Sequence, residues 1–201
     1  MRTAFLIGLL CVPLAALADD DPVAIIEQTT ADIIELLDGR RDYYREHPDA
    51  LRSELRAILL PRIDTVYSAR LVLGRHGRGL ETEQIEAFAK ALADQLLQRY
   101  ATALLDYRLR DRIEILPLTG DNTERMTRVR TRVRLNGSSR APIDYVFRNN
   151  DDQWLVFDVI VEGISYVSTF RSQIDPELSR HGFDRLLDRL QSGELALETD
   201  D

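Results

Sequence analysis

Cysteine occurs once in the 201 residues, as Cys11, and histidine only three times. Cys11 lies in an apolar run, residues 4–17, that follows Arg2 and ends in Ala16-Leu17-Ala18. A short positive start, an apolar stretch and a small-x-small ending predict a secretory signal peptide over 1–18, cleaved before Asp19. The run, interrupted by Pro13, falls short of the roughly 20 apolar residues that a membrane helix needs. A lipoprotein signal would place a small residue just before the cysteine and a leucine three before it. The chain has Leu10 and Gly8 there, so lipidation is not expected. The mature chain, 19–201, then has no thiol, which excludes disulfides and Cys-ligated metals and leaves the core to hold the fold.

The scarcity of histidine narrows the chemistry. His47, His76 and His181 each stand near Pro or Gly in an expected turn, and none has a ligand partner at helical spacing. No H-E-x-x-H, G-x-S-x-G or P-loop pattern is present, so neither a metal nor a nucleophile-based enzyme is expected. The stretch Gly74-Arg75-His76-Gly77-Arg78-Gly79 is glycine-rich without the spacing of a dinucleotide fingerprint and reads as a loop. Asp158 is the one carboxylate set among apolar neighbours, Val156, Phe157, Val159 and Ile160. A buried carboxylate must be paired or hydrogen-bonded, so it reads as a structural acceptor, with a general base as the alternative.

Positive charge is also in the minority. The formal charge is −8, with 26 basic against 34 acidic residues. Losing Arg2 with the signal peptide makes the mature balance 25 against 34, or −9. Such a chain is a poor nonspecific binder of nucleic acid or anionic lipid. No later apolar run could cross a membrane, so a soluble, exported protein of the cell envelope is expected.

What is present is periodicity. Pro22 opens a helix with Val23, Ile26, Ile33 and Leu37 on one face, weakened at Gly39 and Arg40-Arg41-Asp42. Pro48 opens a second with Leu51, Leu55, Ile58 and Leu59, ended or kinked by Pro61. A short apolar piece covers 66–73. The longest helix starts near Thr82 as N-cap, and Ile85, Phe88, Leu92, Leu96, Tyr100, Ala103 and Tyr107 make one stripe of about seven turns. From Leu109 the period changes to two. Ile113 and Ile115 alternate with Arg112 and Glu114, and Thr127, Val129, Thr131, Val133 and Leu135 alternate with Arg128, Arg130, Arg132 and Arg134. After a turn at Asn136-Gly137 come Ile143, Tyr145 and Phe147, then a turn at 149–152 and a strand over 154–161. The pattern predicts an α+β domain with an antiparallel four-stranded meander, apolar on one face and charged on the other. The arginine row reads as a solvated face balanced by Glu114 and Asp144. Two helices follow, with Val167, Phe170 and Ile174 on one and Phe183, Leu186, Leu187 and Leu190 on the other. The acidic tail, 198–201, is expected to fray. No linker divides 19–201, which reads as one domain. Pattern alone leaves open whether its apolar interior is packed solid or holds a ligand.

The stretch from Trp154-Leu-Val-Phe-Asp158 through Glu162-Gly163-Ile-Ser165 to Phe170-Arg171-Ser-Gln173 resembles the C-terminal signature of the MlaC family. That family comprises periplasmic phospholipid carriers of the Mla, or toluene-tolerance, transport system. Val72-Leu73-Gly74, Glu83-Gln84, Phe88, the segment from Tyr100 to Tyr107 and the segment from Gly182 to Leu190 are similar in the same order. Departures are Gly77 in place of an aromatic residue, Thr82 in place of a proline, and Asp175-Pro176 as a candidate helix break. The resemblance implies an NTF2-like fold with an apolar cavity for the acyl tails of one glycerophospholipid, and no cofactor or metal. It also implies transient exchange with an inner-membrane ABC transporter carrying an MCE-domain subunit and with an outer-membrane lipoprotein complex, in maintenance of outer-membrane lipid asymmetry. The candidate tail-contacting residues, chosen by face, are Phe88, Leu92, Leu96 and Tyr100 on the long helix and Val129, Val133, Tyr145 and Phe147 on the sheet. Val156, Ile160, Ile164, Val167 and Phe170 follow from the signature, with Arg171 as a candidate phosphate contact. Two other readings remain: an NTF2-like enzyme using Asp158 as general base, and a non-enzymatic envelope adaptor with a packed core.

Overall fold

A computed structural model describes residues 21–106, 113–120, 122–134 and 140–198. The expected signal peptide with Cys11, the stripe end at Tyr107, Leu109, Arg112, Leu135, the Asn136-Gly137 turn and residues 199–201 lie outside these.

Helix α1, Pro22–Leu37, has Pro22 in its first turn and Asp21 accepting from the Val23 amide, which relieves two of the groups a helix start leaves unpaired. A short α2, Arg41–Glu46, and α3, Pro48–Leu59, follow, and Pro61 lies in the 3-10 turn Leu60–Arg62 that ends α3. The apolar piece expected over 66–73 is helix α4, Thr65–Leu73, capped by Asp64 accepting from the Tyr67 amide at 2.9 Å. Helix α5, Thr82–Tyr100, starts one residue earlier than expected. Glu81 is its N-cap, and the Gln84 side chain turns back to accept from the Glu81 amide at 3.0 Å. It also ends earlier than the seven-turn stripe suggested. Thr102–Leu105 winds as a 3-10 turn whose last carbonyls, of Leu104 and Leu105, both accept from Arg41 Nη1 at 3.0 and 2.7 Å. A guanidinium anchoring two carbonyls of that turn competes with continued α-helical bonding there.

The strands are β1 Ile113–Ile115, β2 Met126–Arg134, β3 Arg140–Asn150, β4 Gln153–Val161 and β5 Ile164–Ser165. They form one antiparallel sheet in the order β1-β2-β3-β4-β5. The fifth strand was not expected. Glu162 and Gly163 both have positive φ, 51° and 88°, as a tight hairpin turn matching strand twist requires, and so Ile164 folds back onto β4. The final helix, α6 Tyr166–Gln191, runs through Pro176, and the break expected at Asp175-Pro176 occurs instead at Gly182, with φ 75°.

Register decides the faces. Thr127, Val129, Thr131 and Val133 stand opposite Phe147, Tyr145, Ile143 and Ala141, and α1 covers this inner face with Ile25 and Ile26. The buried hydroxyls on it are satisfied: Thr131 donates to the Ile143 carbonyl at 2.8 Å and Thr127 to Asn122 at 2.7 Å. Between β3 and β4 the pairing shifts. Phe147 faces Val156, but Val146 faces Asp158, which leaves Phe157 as an extra residue in β4.

The buried apolar residues form three separate clusters. One joins α4, α5 and α6. A second joins the ends of α1 and α5 to α2 and α3, and a third lies between α1 and the inner sheet face. Each fully buried Leu, Ile or Phe contributes about 1.5–3 kcal/mol, so each cluster is a substantial source of stability by itself.

Candidate lipid-binding interior

The bulge sorts the side chains of β4. Trp154 and Val156 lie on the inner face, and beyond Phe157 that face passes to Val159, opposite Tyr145, and Val161, opposite Ile143. A strict two-residue period from Val156 would have chosen Asp158 and Ile160 instead. Both are on the outer face, since Ile160 pairs with Asp144. Ile160 therefore does not belong with the interior residues. Ile164, 47% exposed in β5, does not either, because the hairpin turn carries it out to solvent.

Tyr145 is the most informative residue of the inner face. Burial pushes its hydroxyl up to about 12 from 10.0. The side chain nevertheless keeps part of its surface accessible, and its hydroxyl has no hydrogen-bond partner among the described residues. The ring is thus deep in the fold without being sealed by its neighbours. Its inner-face neighbours Ile143, Val159 and Val161 are half-buried as well, as are Ile113 and Ile115 of β1. Val129, Phe147 and Val156 close the base of this face as buried members of the sheet cluster. Val133 is buried on the same face but belongs to none of the three clusters.

The helical candidates lie elsewhere. Phe88, Leu92 and Phe170 are buried in the α4–α5–α6 cluster, and Leu96 and Val167 pack half-buried against it. Tyr100 is half-buried at the end of α5. The structure thus separates the expected single set into a sheet group and a helical group. Where the helical cluster meets the α1–α2–α3 cluster, a cleft of about 230 Å³ opens, with Leu60, Val66, Ala89 and Ala93 as its apolar lining. Arg56, Glu86 and Lys90 also line it, and Asp94 beside it accepts from both Arg56 and Lys90. Desolvation would raise the Asp94 pKa, but the hydrogen bonds from Lys90 and Arg56 outweigh it and hold the carboxyl below its ordinary value. These cleft residues were missed by sequence reasoning. Small alanines on a helix face carry no signal until two other helices are known to flank them.

Two polar candidates are occupied structurally. Asp158 accepts from Ser165 Oγ at 2.6 Å and from the Val167 amide at 3.1 Å, so both carboxylate oxygens secure the start of α6. It also sits on the face opposite Tyr145, which removes the geometry for a general base in the interior. Arg171 donates through Nε to the Leu71 carbonyl at 2.6 Å, and through Nη2 to the same oxygen, tying α6 to the end of α4. That clamp uses one edge of the guanidinium. Among the described residues no cluster of His, Cys, Asp or Glu could hold a metal ion, and no helix is long and apolar enough to cross a membrane.

Comparison with known proteins gives the same direction from another source. The family model described as MlaC protein matches residues 27–192. The toluene tolerance protein ttg2D of Pseudomonas putida is 29% identical over 185 residues, 92% of this chain and 85% of that protein. The intermembrane phospholipid transport system binding protein MlaC of Haemophilus influenzae is 28% identical over 194 residues, 94% of this chain and 87% of that one. A solved phospholipid-binding protein of Ralstonia solanacearum, determined in complex with a phospholipid, shares the fold with a TM-score of 0.74 at 19% identity. The match covers 85% of this chain and 96% of that structure.

Proposed function

Because the chain belongs to the MlaC family, we propose that it binds a glycerophospholipid by its acyl tails and carries it through the periplasm between outer- and inner-membrane complexes. The family match over 27–192 is the observation that carries this reading. The relatives' names, which include phospholipid transport and phospholipid binding, support it. So does the incompletely covered apolar face around Tyr145.

The energetics fit a carrier. Taking acyl chains from water to an apolar interior gains about 0.8 kcal/mol per methylene, which rules out a free lipid intermediate in water. A bilayer is equally apolar, so transfer between bilayer and protein is close to neutral, and loading and unloading need no nucleotide on this chain. Direction then comes from the partners' different affinities for the loaded and empty states. We place the tails between the inner sheet face and the helices. Val129, Val133, Tyr145, Phe147 and Val156 would contact them from the sheet side, and Leu96, Tyr100 and Val167 from the helical side. Ligand pockets commonly occupy about 300–1,000 Å³, more than the cleft alone provides. Uptake therefore parts the three clusters along their seams while each stays packed within itself, with Phe88, Leu92 and Phe170 holding the helical cluster together.

Lipid extraction and mass spectrometry of the purified protein test the proposal, followed by incubation of delipidated protein with phospholipid vesicles. Stoichiometric phospholipid in the first and uptake in the second are expected. A folded, delipidated protein that takes up none refutes the carrier reading.

A further inference from the structure

We propose that the outer face of the sheet is a docking surface for an acidic patch on a partner protein. The opposed Arg134 and Arg140, together with Arg132, form its centre. This goes beyond lipid carriage and does not depend on it.

The face is built by register. Arg128, Arg130, Arg132 and Arg134 alternate along β2 away from α1, roughly 7 Å apart at two residues of strand rise each. Arg140 of β3 lies directly opposite Arg134. Like charges facing each other across a ladder destabilise a sheet, so this pair costs the fold something. The carboxylates of the face relieve it only at Arg140, on which Glu114, opposite Arg132 in register, is spent. Asp144 lies 3.7 Å from Arg128. Arg130 donates to the Thr119 hydroxyl and carbonyl at 2.9 and 3.2 Å. Arg132 and Arg134 are exposed and make no ion pair or side-chain hydrogen bond among the described residues. Arg148 and Asp158, on the same side of the sheet, are committed to Asp64 and to the start of α6.

Five arginines against two carboxylates give the face +3, whereas the whole chain carries −8, which leaves −11 for the remainder. Segregation of this kind in an acidic chain points to an anionic occupant, and the balance selects its type. An anionic bilayer is a broad plane that also meets the acidic remainder within a Debye length of about 10 Å. A local acidic patch on a protein meets the row alone. Carboxylates match guanidinium forks in bidentate geometry, and Arg and Met are enriched at protein interfaces. Met126, 44% exposed, is on this face beside Arg128.

The test uses the full mature protein, with poly-L-glutamate as the acidic probe and two alternative polyanions, phosphatidylglycerol vesicles and a DNA duplex. Arg132→Glu/Arg134→Glu is compared with Arg180→Glu/Arg185→Glu, an equal charge change at exposed arginines of α6. Expected is salt-sensitive binding of poly-L-glutamate that the first variant weakens by at least about tenfold and the second leaves within about threefold. The first variant should keep the thermal midpoint and the bound lipid of the parent protein, so that loss of docking is separable from loss of carriage. Equal loss in both variants, no binding of poly-L-glutamate, or tighter binding of vesicles or duplex overturns the proposal.

Discussion

Arg148 of β3 donates to Asp64 Oδ2 at 2.9 Å while Asp64 Oδ1 caps helix α4, so a single carboxylate joins the sheet to the helical layer. The guanidinium also lies over the Tyr67 ring at 4.2 Å, and the Asp64 amide donates to the Val156 carbonyl at 2.8 Å. Two functions in one side chain predict a graded response. Asp64→Ala removes the cap and strands a half-buried cation, and should cost about 2–4 kcal/mol. Asp64→Asn keeps an acceptor for the Tyr67 amide and should cost about half as much. Chemical denaturation of the two variants measures the difference, and equal losses would mean that the cap does not contribute.

The extra residue in β4 gives a second expectation. Deleting Phe157 would restore a strict two-residue period and leave Trp154, Val156, Val159 and Val161 together on the inner face. It would also remove the Phe157 carbonyl that accepts from Ser68 Oγ at 2.7 Å and the ring that packs edge-on against Tyr67. Through these lost contacts with α4 the deletion should destabilise by about 2–4 kcal/mol. Phe157→Leu, which keeps the bulge, should fold. A deletion variant as stable as the parent would show that the extra residue does not anchor α4 to the sheet.

Tyr145 makes the third prediction, a dependence on alkaline pH. Its folded pKa of about 12 exceeds the unfolded 10.0, so the folded state holds the proton longer. Stability contributed by the neutral phenol is complete below pH 10.0 and declines as pH rises toward about 12. Two units correspond to about 2.7 kcal/mol. Tyr145→Phe should flatten this slope in urea titrations between those pH values, and an unchanged slope would assign it to other groups.

Space on the inner face is the subject of the fourth. Val159 is half-buried opposite Tyr145, so Val159→Trp should fill accessible volume rather than overpack a sealed site. Co-purifying phospholipid should fall several-fold with the thermal midpoint within a few degrees of the parent. Val133→Glu, which places a charge on the same face, should abolish lipid retention. Unchanged lipid content in both variants would remove the inner sheet face from the tail site.

Much of this architecture was legible in the chain because its signals are local. Pro22 and Pro48 open the helices at which they stand, and alternation along β2 separates its arginines from Thr127, Val129, Thr131 and Val133. Where local reasoning failed, a contact from far away in sequence intervened. Arg41 anchors the carbonyls after α5, and the shift at Phe157 moved Ile160 off the interior face. Arg171 reads from sequence as a candidate phosphate contact, and only the position of Leu71 shows that it also clamps α6 to α4.

The amino-acid order by itself determined most of the helices and strands and, β4 excepted, which face of each is apolar, since periodicity and capping act over a few residues. Tertiary structure alone decided which apolar faces seal against one another and which, like that of Tyr145, stay incompletely covered. Packing depends on distances between segments that are remote along the chain, and no periodicity within one segment encodes such a distance.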